Sequence, residues 1–111
     1  MEISNAINVE EALGRVVNNK ALFKRLLGKF SGRKLVEQIE EAINAEDYTT
    51  ATNACHALKG LAANLAMYPL TDITKQIEKR LANNESAQDL FPVLYENLEA
   101  AEAAIEIIIA E

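Results

Sequence analysis

Apolar residues recur at three- and four-residue spacing along almost the whole chain. No comparable stretch alternates every second residue. That period belongs to one face of a helix, so the chain is constrained to an all-α fold whose helices share a core. Composition agrees. Eighteen of the 111 residues are Ala, whereas Gly and Pro number four and two, so helix is favoured over sheet. A chain this long is expected to form one domain, residues 1–111.

Local signals divide the chain into helices. Asn8 followed by Glu11 reads as a capping box for a short helix with Val9, Leu13, Val16 and Val17 on its apolar side, broken by Asn18-Asn19. A second helix from about Lys20 to Phe30 is expected to bury Leu22, Phe23, Leu26, Leu27 and Phe30. After a turn or bend at Ser31-Gly32 come Leu35, Val36, Ile39, Ala42 and Ile43 at helical spacing. Asp47 is the expected N-cap of a helix continuing to about Met67. Pro69 suits the first turn of the next, with Leu70, Ile73, Ile77 and Leu81 on its core side. Asn83 to Ser86 form a polar turn. Asp89 is expected to cap a last helix that buries Phe91, Leu94, Leu98, Ala101, Ile105 and Ile108. Short connections favour antiparallel neighbours, so the expected architecture is an antiparallel up-down four-helix bundle with a short N-terminal covering helix.

Charge and cysteine content narrow the function. The net charge of −6 and scattered short basic pairs argue against a nucleic-acid partner. No apolar run reaches the roughly 20 residues of a membrane span. The start lacks the basic and then apolar segments of a signal peptide, so the expected location is cytoplasmic and no membrane partner is expected. Cys55 has no partner cysteine and reads as a small packed thiol. The row Glu96, Glu99, Glu102 and Glu106 reads as the solvated face of the last helix.

The one histidine is the exception to the core pattern. On a wheel of about 100° per residue, Ala51, Ala54, Leu58, Leu61 and Leu65 gather on one side. His56 falls on the other, with Thr49, Thr52, Asn53, Lys59, Gly60, Ala63 and Met67. A lone histidine is most often packed or merely solvated, but this stripe argues against burial. Gly60 stands mid-helix, where Gly costs about 1 kcal/mol relative to Ala; close approach by another molecule is a physical reason for it. Lys59, one turn from His56, is placed to meet an anion on the ring.

The stretch His56-Ala57-Leu58-Lys59-Gly60-Leu61-Ala62-Ala63-Asn64-Leu65 resembles the signature of histidine-containing phosphotransfer (HPt) domains, of the form H-x-L-K-G-x-A-x-N-L. Asp47, Leu70, Ile77-Glu78, the Ile7 to Leu13 segment and the Leu22 to Phe30 segment are similar to family members as well. The family often has Gly where this chain has Ala63 and Ala66, a change that bears on docking clearance and on how the helix ends. The Phe30 to Ile39 stretch is slightly short for the family.

The resemblance implies a phosphoryl carrier, not an enzyme. His56 would accept the group from an aspartyl phosphate on a response-regulator receiver domain, the attacking atom being Nε2, and pass it to another receiver; a hybrid histidine kinase is a further implied partner. Mg²⁺ would belong to the receiver, and no cofactor or metal is expected on this chain. Lys59 would offset the phosphoryl charge. Glu78, at a position where the family carries Glu or Gln, is expected to accept a hydrogen bond from Nδ1–H of His56 and so fix the tautomer. Gly60 and Ala63 would give the receiver clearance, with Thr52, Asn53, Asn64 and Met67 as contacts around them.

Two other readings compete. A di-iron bundle needs Glu-x-x-His pairs, but Asn53 stands three before His56 and there is no second His. An HPt-fold adaptor that binds a signalling partner without being phosphorylated is the stronger rival.

Overall fold

A computed structural model describes residues 5–111. It contains α1 (Val9–Arg15), α2 (Lys20–Gly28), α3 (Gly32–Asn44), α4 (Tyr48–Asn64), α5 (Tyr68–Ala82), a 3-10 turn at Gln88–Leu90, and α6 (Phe91–Ala110). No strand occurs among the described residues. The helix contacts close a ring: α3 with α4, α4 with α5, α5 with α6, and α6 with α3. α2 lies against α6 and α1.

The starts of these helices follow from their caps. Asn8, Asn19 and Asp47 each accept the backbone N–H three residues on, at 3.1–3.2 Å, which satisfies one of the orphan donors of a helix N-terminus. Pro69 and Pro92 occupy first-turn positions of α5 and α6, where a missing N–H costs nothing. Asp89 does not cap α6 as expected. The 3-10 turn makes Leu90 the residue before the helix, and the Asp89 carboxylate instead accepts a hydrogen bond from Arg80 at 2.8 Å.

The ends share one device. Glu46, Ala66 and Asn84 have φ of 58°, 55° and 56°. After each, the next N–H reaches back to Ala42, Ala62 or Arg80 at 2.8–2.9 Å, closing the helix with a left-handed residue. α3 is thus linked to α4, and α4 to α5, by three residues each. This stops α4 at Asn64 rather than near Met67.

Each helix gives one stripe to a common core that includes Leu27, Val36, Ile39, Leu58, Leu70, Ile77, Leu94 and Leu98. The expected stripes of α3, α5 and α6 are buried, save Leu35 of α3, which is half-buried. Thr71 and Thr74 are buried among them, and their hydroxyls donate to the carbonyls of Met67 and Leu70 at 3.0 and 2.7 Å, so neither is left unsatisfied. At the N-terminal end two expected core residues lie outside. Val17 is 88 % exposed at φ 53°, and Leu26 is 38 % exposed, because the short α1 and α2 present little surface to cover them. α2 also ends at Gly28, before Phe30.

α1 is tied down by polar contacts. Arg15 donates to the carbonyls of Ala63 and Asn64, to Glu11 and to the Tyr68 hydroxyl. Tyr68 in turn donates to Glu11 at 2.6 Å, which raises the phenol's pKa. Arg15 thereby satisfies carbonyls at the C-terminal end of α4, where a cation is also favoured by the helix dipole. Arg33 grips Glu102 with two hydrogen bonds of 3.0 and 2.8 Å, joining α3 to α6. Glu102 therefore does more than solvate its face.

Candidate functional site

α4 owes its two faces to its sequence. Ala51, Ala54, Cys55, Leu58 and Ala62 are buried, with Leu61 half-buried at the edge. Thr52, Asn53, His56, Gly60 and Asn64 are exposed, and Ala63 is half-exposed. The His56 side chain is 78 % exposed, so the imidazole is accessible to a macromolecule. A methyl built on Gly60 would meet nothing within 4 Å. No packing within the fold explains glycine there.

Glu78 reaches the site from α5. Its Oε1 accepts a hydrogen bond from Lys59 Nζ at 2.7 Å, and its Oε2 lies 3.9 Å from His56 Nδ1. The second distance is too long for the hydrogen bond expected from the sequence. The carboxylate is bonded to Lys59 instead, whose ammonium gives a strong, charge-assisted hydrogen bond. Lys59 and Glu78 are each only about a quarter exposed, at 27 % and 24 %, so this pair is partly shielded and the ring stands further out.

Met67 does not join the face. It is fully buried, because the left-handed Ala66 ends the helix and redirects the chain before it. The wheel that placed Met67 beside His56 does not extend past Asn64.

Cys55 lies next to His56 in sequence but faces the core. Burial, with a smaller push from Glu78, raises its thiol to about 12. It is held as a neutral thiol and supplies no nucleophile. Among the described residues no group of three or more His, Cys, Asp or Glu is arranged to hold a metal ion.

Arg15 was missed in the sequence. Its Glu11 partner at i−4 marks a helix-surface pair, but nothing local shows that the same guanidinium closes the end of the histidine-bearing helix.

No curated protein and no solved structure matches the chain significantly. The Hpt domain family matches residues 29–104, which takes in α3 to α5 and most of α6 and includes His56, Lys59, Gly60 and Glu78. Of the N-terminal segments similar to family members, Ile7 to Leu13 lies wholly before the matched region and Leu22 to Phe30 does so apart from its last two residues. An outward imidazole on an all-helical scaffold and a match over most of the length agree: the chain belongs to the Hpt domain family.

Proposed function

We propose that this chain is a single-domain phosphoryl carrier of a two-component phosphorelay, built as an antiparallel up-down four-helix bundle from α3 to α6 with α1 and α2 as its cover. Three-residue links between long helices support that topology. In this reading His56 takes the phosphoryl group from a receiver-domain aspartyl phosphate and passes it to a second receiver. The observation that carries it is the exposed ring beside an open Gly60.

The ring attacks through Nε2 and keeps its proton on Nδ1. Lys59 supplies the cation nearest the incoming phosphoryl oxygens. Gly60 and Ala63 leave room for the receiver's active site, and Thr52, Asn53 and Asn64 contact its rim. Mg²⁺ and the catalytic carboxylates come from the receiver, so this chain behaves as a substrate of its partners, among them a hybrid histidine kinase. A cytoplasmic location goes with such partners.

The test is labelling by a ³²P-phosphorylated receiver. Label stable in alkali, lost in acid and absent from His56→Gln establishes phosphohistidine. A folded wild-type protein that binds receivers without taking label establishes the adaptor instead.

A further inference from the structure

Residues 20–34 carry six basic side chains and no acidic one, in a chain whose net charge is −6. The excess acid lies elsewhere, with seven acidic residues and no basic one in residues 83–111. Lys20, Lys24 and Arg25 lie on α2, and Lys29 caps its end. Among the described residues none of these four forms an ion pair, nor does Lys34, whereas Arg33 is taken by Glu99 and Glu102. α2 also holds more apolar residues than the bundle covers. Phe23 and Leu27 are buried. Leu22, Arg25, Leu26 and Lys29 follow the i, i+3, i+4, i+7 spacing of a second, outer face. Leu26 and both cations of that face are exposed, and Leu22 is half-buried. Val17, 88 % exposed, stands in the turn before α2.

We infer that the outer face of α2 is a docking surface for an anionic lipid membrane. Aliphatic side chains interleaved with unpaired cations on one helix face suit the boundary between headgroups and acyl chains, where each half finds its own partner. No described helix is long and apolar enough to cross a membrane, so the contact is peripheral. Size argues against a protein on this face. The nine residues of α2 offer a strip about 14 Å long and 10 Å wide, far below the roughly 800 Å² that each partner gives to a specific protein interface. The strip is also bounded, because Glu102 and Glu106 of α6 line the groove beside it. A membrane needs no matching outline and gains with each cation brought near it. Lysine supplies three of the four cations of α2, and lysine is depleted at protein interfaces. Nucleic acid would use the cations but gives Leu26 and Val17 nothing to enter.

The placement keeps the two surfaces apart. α2 rests on α6, and α6 stands across the ring from α4. A membrane against α2 therefore leaves the outer face of α4, with His56, turned to solvent. The acids on the far side of the bundle weigh little, since charges more than about 8–10 Å away are screened at physiological salt. The inference stands on α2 alone and holds whether or not His56 takes a phosphoryl group.

The experiment sediments the purified full chain with vesicles of phosphatidylcholine containing about one third phosphatidylglycerol, and with vesicles of phosphatidylcholine alone. Binding is expected to the anionic vesicles only, and to fall about tenfold or more as salt rises from about 0.1 to 0.5 M. The double variant Arg25→Gln, Lys29→Gln is expected to partition about 25-fold less, at about fivefold per cation. Leu26→Ser is expected to partition severalfold less. Both variants change exposed positions, and thermal melting checks that each is folded. Equal sedimentation with the two lipids, or undiminished binding by the double variant, overturns the proposal. Duplex DNA bound as tightly as the vesicles, with no loss in Leu26→Ser, marks a general polyanion surface and overturns it as well. Diethyl pyrocarbonate is expected to modify His56 equally fast with and without anionic vesicles. Protection of His56 by the vesicles would put the membrane on α4 and overturn the placement.

Discussion

On α4 the inward residues Ala51, Ala54, Cys55, Leu58 and Ala62 are all buried, while outward Thr52, Asn53, His56 and Gly60 are exposed. One helix carries both sets at interleaved positions. The inner set is explained by packing against the neighbouring helices. The outer set includes a glycine that packing does not require and a histidine that it does not enclose. What the fold does not need on this face is what an incoming protein would need. The neighbours Cys55 and His56 show the division most sharply.

That division can be broken chemically. The Cys55 thiol, raised from 9.0 to about 12, carries about a thousandfold less thiolate near neutral pH than it would unshifted. Its folded-state protonation persists until the pH approaches that raised value. Iodoacetamide at pH 8 is expected to leave Cys55 unmodified in the folded protein and to alkylate it in denaturant. Diethyl pyrocarbonate, by contrast, is expected to modify His56 in the folded state. Rapid alkylation of folded Cys55, measured by mass spectrometry, would erase the distinction between the faces.

A bulky side chain on the outer face tests its use. Gly60→Arg is expected to lower receiver-dependent transfer by about a hundredfold, since small misplacements at a reacting centre cost that much. Its thermal midpoint is expected to change little, and loading by phosphoramidate is expected to remain. Normal transfer from the receiver would show that the space beside His56 is unused. On the inner face the effect is reversed. Leu58→Ala is expected to cost about 2–5 kcal/mol of stability, by lost burial and the cavity left behind. Chemical denaturation measures it, and at temperatures where the variant stays folded its transfer is expected to be near wild type.

The sequence made much of this legible, for reasons that also mark where it stopped. Asp47, Pro69 and the α6 stripe act through neighbours within one turn, so local pattern reveals them. Helix ends were harder because Glu46, Ala66 and Asn84 adopt left-handed backbone without being glycine. The missed end of α4 then misplaced Met67. Asp89 has the residue type and position of a cap, but Arg80, nine residues earlier, takes its carboxylate. The resemblance put Glu78 beside His56, yet did not tell which donor it would choose. That choice depends on distances and on the charge of each donor, and only the folded chain sets the distances.

The smallest predicted effects compare two positions six residues apart. Gly60 lies mid-helix with open space around it, so Gly60→Ala is expected to stabilise the protein by about 0.5–1 kcal/mol through reduced unfolded-state freedom and better helix propensity. Ala66 stands at φ 55°, where a Cβ is strained by roughly 1 kcal/mol or more. Ala66→Gly is expected to recover part of that strain, less what Gly gives up in unfolded-state entropy. Gly60→Ala is therefore expected to raise the denaturation midpoint, and Ala66→Gly, which also removes a buried methyl, to change it little; they differ in function as well. The Gly60 methyl points into the face that a receiver would cover, whereas Ala66 is fully buried. Transfer is therefore expected to fall severalfold in Gly60→Ala and to stay unchanged in Ala66→Gly. Equal transfer rates in the two variants would mean that Gly60 is retained for some reason other than access to His56.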